Sequence, residues 1–175
     1  MPALVLRNMN AAYFRRMIDY TYWAHRQVWG CVAELSDDQF TRPCDYSVGS
    51  VQQQVVHTMG AEWLWLQRVR GEQPEPFLQA EDFPTRPAIR ARWDEIEAGW
   101  RAYVAALTDD QLEQPLVYTS ITGGARREQI LWEGLAQIVN HATDHRAQTL
   151  ALIHQVGGRT LAQDFIFYTW GYPTT

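Results

Sequence analysis

Gln137-Ile138-Val139-Asn140-His141-Ala142-Thr143-Asp144-His145-Arg146-Ala147-Gln148 lies inside a helical pattern that runs from about Arg127 to Val156 and stops at Gly157-Gly158. A helix turns about 100° per residue, so positions four apart differ by roughly 40° and one turn of height. His141 and His145 therefore leave one face together, close enough to share a divalent ion. Gln137 and Gln148 project along the same broad face. A long helix with polar, ligating side chains on one face needs facing helices to enclose them, which points to a helical bundle.

Working outward, the spacing predicts a first helix from about Asn8 to Glu34. Its stripe is Tyr13, Phe14, Met17, Ile18, Tyr20, Trp23, Val28 and Val32. A capping-box pattern, Ser36 followed by Gln39, marks a short turn before Pro43. The second helix starts near Ser50, with Gln53 three residues on, and runs through His57, Trp63 and Trp65 to Gly71. A proline-bearing connection from Glu72 to Pro87 is too long for a tight turn and should span the bundle. The third helix covers about Ala88 to Leu107. After it, Leu107-Thr108-Asp109-Asp110-Gln111-Leu112 echoes Leu35-Ser36-Asp37-Asp38-Gln39-Phe40, an internal pseudo-repeat that aligns Val56-His57 with Asn140-His141. Between Leu116 and Arg127, Val117-Tyr118-Thr119 and Gly123-Gly124 predict a short hairpin, and the aromatic tail from Ala162 to Trp170 is expected to be partly helical. The expected fold is all-α: a four-helix bundle with crossover connections, plus a β-hairpin before the last long helix, as one domain over residues 1–175.

Composition narrows the function. Charged residues make up 20% and hydrophobic ones 46%, ordinary for a globular chain. The net charge of −5, with arginines spread along the chain, argues against nucleic-acid binding. Two cysteines, Cys31 and Cys44, form neither a disulfide framework nor a CxxC motif. Met1 to Asn8 lacks the apolar core of a signal peptide, and no stretch approaches the ~20 apolar residues of a membrane span. A cytoplasmic protein without a membrane partner is expected.

His57, arriving from the second helix, could add a third nitrogen to His141 and His145 and leave coordination positions open, as in reactive rather than structural metal sites. Gln53, Gly60 and Ala61 share its face, the last two small enough to leave space beside an ion. The competing reading is a set of core histidines bonded to carbonyls or to Gln53 and Gln148. Glu62 projects roughly 140° from His57 and reads as a solvated charge. Tyr118 and Arg146 are candidates for the site opening, Asp144 for an outer partner of a histidine, and His154 is expected at the periphery.

These residues carry a resemblance. The chain is similar over nearly its whole length to the DinB/YfiT-like metalloenzyme family. The likeness rests on the aromatic run Tyr20-Thr21-Tyr22-Trp23-Ala24-His25-Arg26, the serine-led helix from Ser50 to His57 with Gly60-Ala61-Glu62 after it, Thr122-Gly123-Gly124, and Asn140, His141, His145, Arg146 and Gln148. Two positions depart from it: His25 stands where many relatives have asparagine, and Ala147 where glycine is frequent. His25 is read as a packed residue, with a fourth ligand or proton carrier as the sharper alternative. The resemblance implies a metal site of His57, His141 and His145 holding zinc or nickel, and a homodimer. It also implies transferase chemistry on a small-molecule substrate with a low-molecular-weight thiol such as bacillithiol or mycothiol. An ion that binds a thiol lowers its pKa and presents thiolate at neutral pH. A metal-dependent hydrolase and a non-catalytic metal-binding stress-response protein are the alternatives. No catalytic base is named.

Overall fold

The computed structural model describes residues 9–72 and 76–173; Met1 to Asn8 and Pro74, used above, lie outside the described residues. Its long helices are α1 (Ala11–Ala33), α3 (Val51–Arg70), α4 (Arg86–Ala106) and α5 (Leu131–Gln155). Short helices α2 (Asp37–Thr41) and α6 (Phe165–Thr169) and the strands β1 (Pro115–Thr119) and β2 (Arg126–Ile130) complete it. The main packing contacts run α1–α4, α4–α3, α3–α5 and α5–α1, a closed ring of four helices. Chain neighbours α1 and α3, and α4 and α5, therefore sit across diagonals, which makes their links crossovers.

The helix ends follow their local chemistry. Asn10 caps α1 by accepting from the Tyr13 N–H, and Ser50 caps α3 by accepting from the Gln53 N–H. Gly71 closes α3 with φ of 70°, a left-handed conformation suited to glycine. Of the two echoed turns, Ser36 and Gln39 form a reciprocal capping box, and Gln111 accepts from the Thr108 N–H at 2.9 Å. The Asp109 carboxylate then reaches across to the Ala11 N–H at 2.8 Å, placing an anion at the positive end of α1.

The link from α3 to α4 does span the bundle. It folds back along α3, where Gln52 donates to the Phe83 carbonyl at 3.0 Å, so α4 begins beside the start of α3 and the two run parallel. Trp93 and Trp100 of α4 accordingly meet Glu62 of α3.

One boundary moves. The last long helix starts at Leu131, not near Arg127, because Arg126–Ile130 pair with Pro115–Thr119 in an antiparallel ladder. The Leu131 and Trp132 N–H groups are then taken by the carbonyls of Gln114 and Leu112. The hairpin thus holds the first turn of α5. Gly134 lets it sit close, since a Cβ there would lie 2.6 Å from Leu116.

The core is continuous through all four helices, with Trp100, Phe14, Leu135 and Ile153 among its fully buried members. Fourteen of the twenty residues of α3 are buried, so α3 is a central helix with no broad solvent face. No helix among the described residues is long and apolar enough to cross a membrane.

Candidate metal centre

Helices α3 and α5 pack face to face, and their contact places His57 opposite His141 and His145. Ring centroids are 4.1 Å apart for His141–His145, 4.6 Å for His57–His145 and 5.7 Å for His57–His141. One nitrogen of each ring lies within 4.8 Å of the other two. Ligation at about 2.0–2.1 Å in tetrahedral geometry needs nitrogens roughly 3.3 Å apart, so small side-chain rotations close the set around one ion. All three histidines are half-buried, and the sequence-derived trio is thus brought together as a cluster that could hold a metal ion.

Their protonation suits ligation. Burial, and then the charges of His145 and His57, push His141 down to about 4. Burial and His145 lower His57, and burial lowers His145 against the pull of Asp144 and Gln148. Three neutral imidazoles with free lone pairs are what a divalent ion binds. The Nδ1 atom of His141 is buried without a hydrogen-bond partner among the described residues. An orphaned polar atom of this kind costs about 1–3 kcal/mol, which an ion drawing on the ring would offset.

The supporting partner is one the sequence reading missed. Gln54, fully buried, has its side-chain amide 2.6 Å from His145 Nδ1 and 2.7 Å from the Ser47 hydroxyl. With Ser47 giving its one proton to Gln148, the Gln54 amide nitrogen donates to Ser47 and its oxygen accepts from His145 Nδ1–H, which leaves Nε2 for an ion. Gln53, which shares the nominal face of His57, is exposed at the rim, and Gln148 bonds Asp144 and Ser47 as well as acting on His145. A polar residue three before His57 was the available signal, since i and i+3 are neighbours on a helix. Gly60 and Ala61 divide their expected role. Ala61 lines the cleft, while the space at Gly60 is taken by Phe77, whose ring would be 3.1 Å from an added Cβ. Phe77 also lies against His57, with ring centroids 5.5 Å apart.

His57 and His141 open onto a cleft of about 730 Å³ walled by α3, the connection after it and the hairpin. Leu64, Trp65, Phe77 and Tyr118 supply its apolar lining, and Arg68 and Arg127 its cationic groups. Tyr118 therefore stands where expected. Arg146 does not: it is 1% exposed, bonded to Gln163 and Thr143, and lies over the Tyr20 ring inside the bundle. His154 is exposed in the last turn of α5, as its projection requires, and Asp144 is exposed and bonded to Gln148 rather than to a histidine.

Glu62 is the main correction. Its carboxylate is buried and accepts from His25 Nε2 at 2.5 Å, Trp93 Nε1 at 2.8 Å and the Tyr22 hydroxyl at 3.0 Å. The 140° offset from His57 points it not to solvent but to α1 and α4, because α3 is central. Burial disfavours its charge, yet His25 and the Trp93 and Tyr22 donors outweigh that and hold it below the usual carboxylate range. Burial likewise keeps His25 below an ordinary imidazole despite the carboxylate beside it. At neutral pH the pair is a carboxylate accepting from a neutral imidazole. His25 is packed, and the metal cluster does not include it. Cys31 and Cys44 are both free thiols.

A DinB family model matches residues 8–174 of this chain. The chain is also 21% identical over 158 residues to the protein DinB of Bacillus subtilis (strain 168), covering 87% of this chain and 91% of that protein. The crystal structure of a DinB-like protein from Bacillus cereus superposes with a TM-score of 0.61 at 16% identity, covering 82% of this chain and 92% of that one. At that identity the superposition speaks for the fold alone.

Proposed function

The chain belongs to the DinB family, and on that premise we propose that it is a divalent-metal-dependent enzyme whose ion is held by His57, His141 and His145. The observation that carries the reading is the convergence of three neutral imidazoles at the wall of an open, largely apolar cleft. Three protein ligands leave room for a substrate atom, the arrangement of a catalytic rather than a structural site. Zinc or nickel suits three imidazoles.

The chemistry such an ion supplies is Lewis acidity, which brings a bound thiol or water toward its anion at neutral pH. The chain's own residues do the rest. Gln54 fixes the plane of the His145 ring from behind, as outer partners of ligating histidines do. Phe77 covers His57 and shields that flank from water. Trp65, Leu64 and Tyr118 provide a wall for the body of a small molecule. We favour transfer to or from a low-molecular-weight thiol, on the family likeness, over hydrolysis by the same site. A homodimer would use the aromatic patch that leaves Trp170 61% and Tyr172 52% exposed.

The test is elemental analysis of tag-free protein beside a His141→Ala/His145→Ala double variant, followed by thiol–electrophile and ester substrates. Near-stoichiometric zinc or nickel in the parent, absent from the folded variant, supports the site, and metal-dependent thiol consumption supports the transferase. A parent that stays metal-free after incubation with both ions refutes the metalloenzyme reading.

A further inference from the structure

Among the described residues, Arg68 is a buried cation at the cleft wall with no carboxylate paired to it. It is 7% exposed, and its Nε is buried without a hydrogen-bond partner. Arg26, Arg86, Arg90, Arg92 and Arg101, by contrast, each hold an aspartate or glutamate. The Arg68 guanidinium lies over two adjoining aromatic rings, 4.7 Å from the Trp65 centroid and 4.2 Å from that of Tyr118, which are themselves 5.4 Å apart. Burial lowers its pKa, with only Tyr118 opposing. Stacking recovers part of the cost of a desolvated cation, but it leaves the buried Nε–H without an acceptor.

Arg68 belongs to the wall of the cleft that also exposes His57 and His141. Arg68 follows His57 by eleven residues on α3, three turns on, hence on the same face and about 16 Å further along the axis. Between them the wall is Ala61, Leu64 and Trp65. Arg127 stands exposed at the rim beside Arg68, and Glu81, the carboxylate among the lining residues, is exposed on the connection.

We propose that Arg68 is the anion subsite of this cleft, and that the substrate is an elongated organic acid. Its carboxylate is gripped by the Arg68 fork, and an apolar body lies along Leu64 and Trp65 toward the histidines. This names the substrate class of the reading above and rests on it for the reacting end only. A planar guanidinium matches a carboxylate with two parallel hydrogen bonds, and a dry, aromatic-walled site strengthens them. A single desolvated cation balances a monoanion, which favours a carboxylate over a phosphate dianion.

The experiment uses the full chain, stripped of metal by a chelator, so that anion binding is read independently of the histidine site. With ¹⁵N labelling, the Arg68 Nε–H resonance, assigned by its loss in Arg68→Gln, is followed while 4-phenylbutyrate is added. Saturable movement of that resonance is expected, with 4-phenylbutyramide and inorganic phosphate binding at least about tenfold more weakly. Arg68→Gln should lower affinity about tenfold or more and Arg68→Lys by less, whereas Arg159→Gln leaves it unchanged. An Arg68 resonance unmoved by 4-phenylbutyrate overturns the proposal whatever the variants do. So does equal affinity for the amide, or tighter binding of phosphate. Carboxylate binding at Arg68, together with a parent that takes up neither zinc nor nickel in the elemental analysis, would sink the metalloenzyme reading and leave the subsite standing.

Discussion

Replacing Glu62 with alanine tests how much the buried carboxylate network holds the bundle together. The substitution strips three donors, His25, Trp93 and Tyr22, of their shared acceptor, at 2.5, 2.8 and 3.0 Å. Hydrogen bonds to a charged group are worth about 1.5–3 kcal/mol each, which sets an upper bound of roughly 9 kcal/mol. The true loss is smaller, because desolvating the carboxylate already cost several kcal/mol and the three bonds are not independent. Each buried donor left without an acceptor costs about 1–3 kcal/mol, and with partial relaxation a total of about 3–5 kcal/mol is expected for the three. For a chain of this size each kcal/mol lowers Tm by about 2–4 °C, so the variant should melt roughly 6–20 °C below the parent. Glu62→Gln should fall between them, since its amide nitrogen meets a donor where the carboxylate offered an oxygen.

The pH dependence follows from sign. Glu62 is held below its ordinary pKa in the fold, so its stabilisation is complete above the unfolded carboxylate value and is lost as pH falls through the lowered one. The gap between parent and Glu62→Ala should therefore be full at neutral pH and close only in strong acid. Circular dichroism melts and urea titrations measure both quantities, and zinc stoichiometry should not change, because Glu62 lies outside the histidine cluster. A loss under about 1 kcal/mol at neutral pH, or a gap that widens on acidification, would refute the reasoning.

Gln54→Leu should lower zinc affinity about 10–100-fold with the metal-binding histidines intact, as measured by competition with a chelating dye, because it frees the His145 ring. In the same assay, affinity should fall less than about 16-fold between about pH 8 and 6. Three unperturbed imidazoles would lose roughly 65-fold to proton competition, but all three here lie below their ordinary value, His141 at about 4. Gly158→Ala should destabilise by about 1–3 kcal/mol in urea titrations. Its Cβ would sit 2.5 Å from Leu35, 2.7 Å from the Ile153 side chain and 3.1 Å from the Ile153 carbonyl oxygen.

Much of the architecture is readable from local pattern. The stripes of α1, α3, α4 and α5, the serine cap at Ser50 and the glycine stop at Gly71 are short-range signals, and they place those helices to within a few residues. The hairpin was visible in Val117-Tyr118-Thr119 and Gly123-Gly124, but its second strand was read as helix. Arg126–Ile130 has no apolar alternation of its own, and it is a strand because β1 takes its backbone hydrogen bonds.

Spacing along single helices determined that His141 and His145 share a face, and that His57 is available from another. A helix dictates angular offsets, and the sequence carries those without any knowledge of neighbours. Which offset counts as inside is a property of the bundle. Glu62 and Arg146 were assigned outward roles because a helix of average burial has a solvent face at such positions. α3 is central and α5 packs against both α1 and α3, so Glu62 and Arg146 are buried. The unpaired Arg68, the Gln54 bond to His145 and the cleft beside Tyr118 likewise depend on which helix stands opposite, since contacts between residues far apart in the chain are made by packing. The sequence by itself determined the helices and the ligating face; only the tertiary structure decided which polar groups are desolvated, because desolvation requires neighbours on every side.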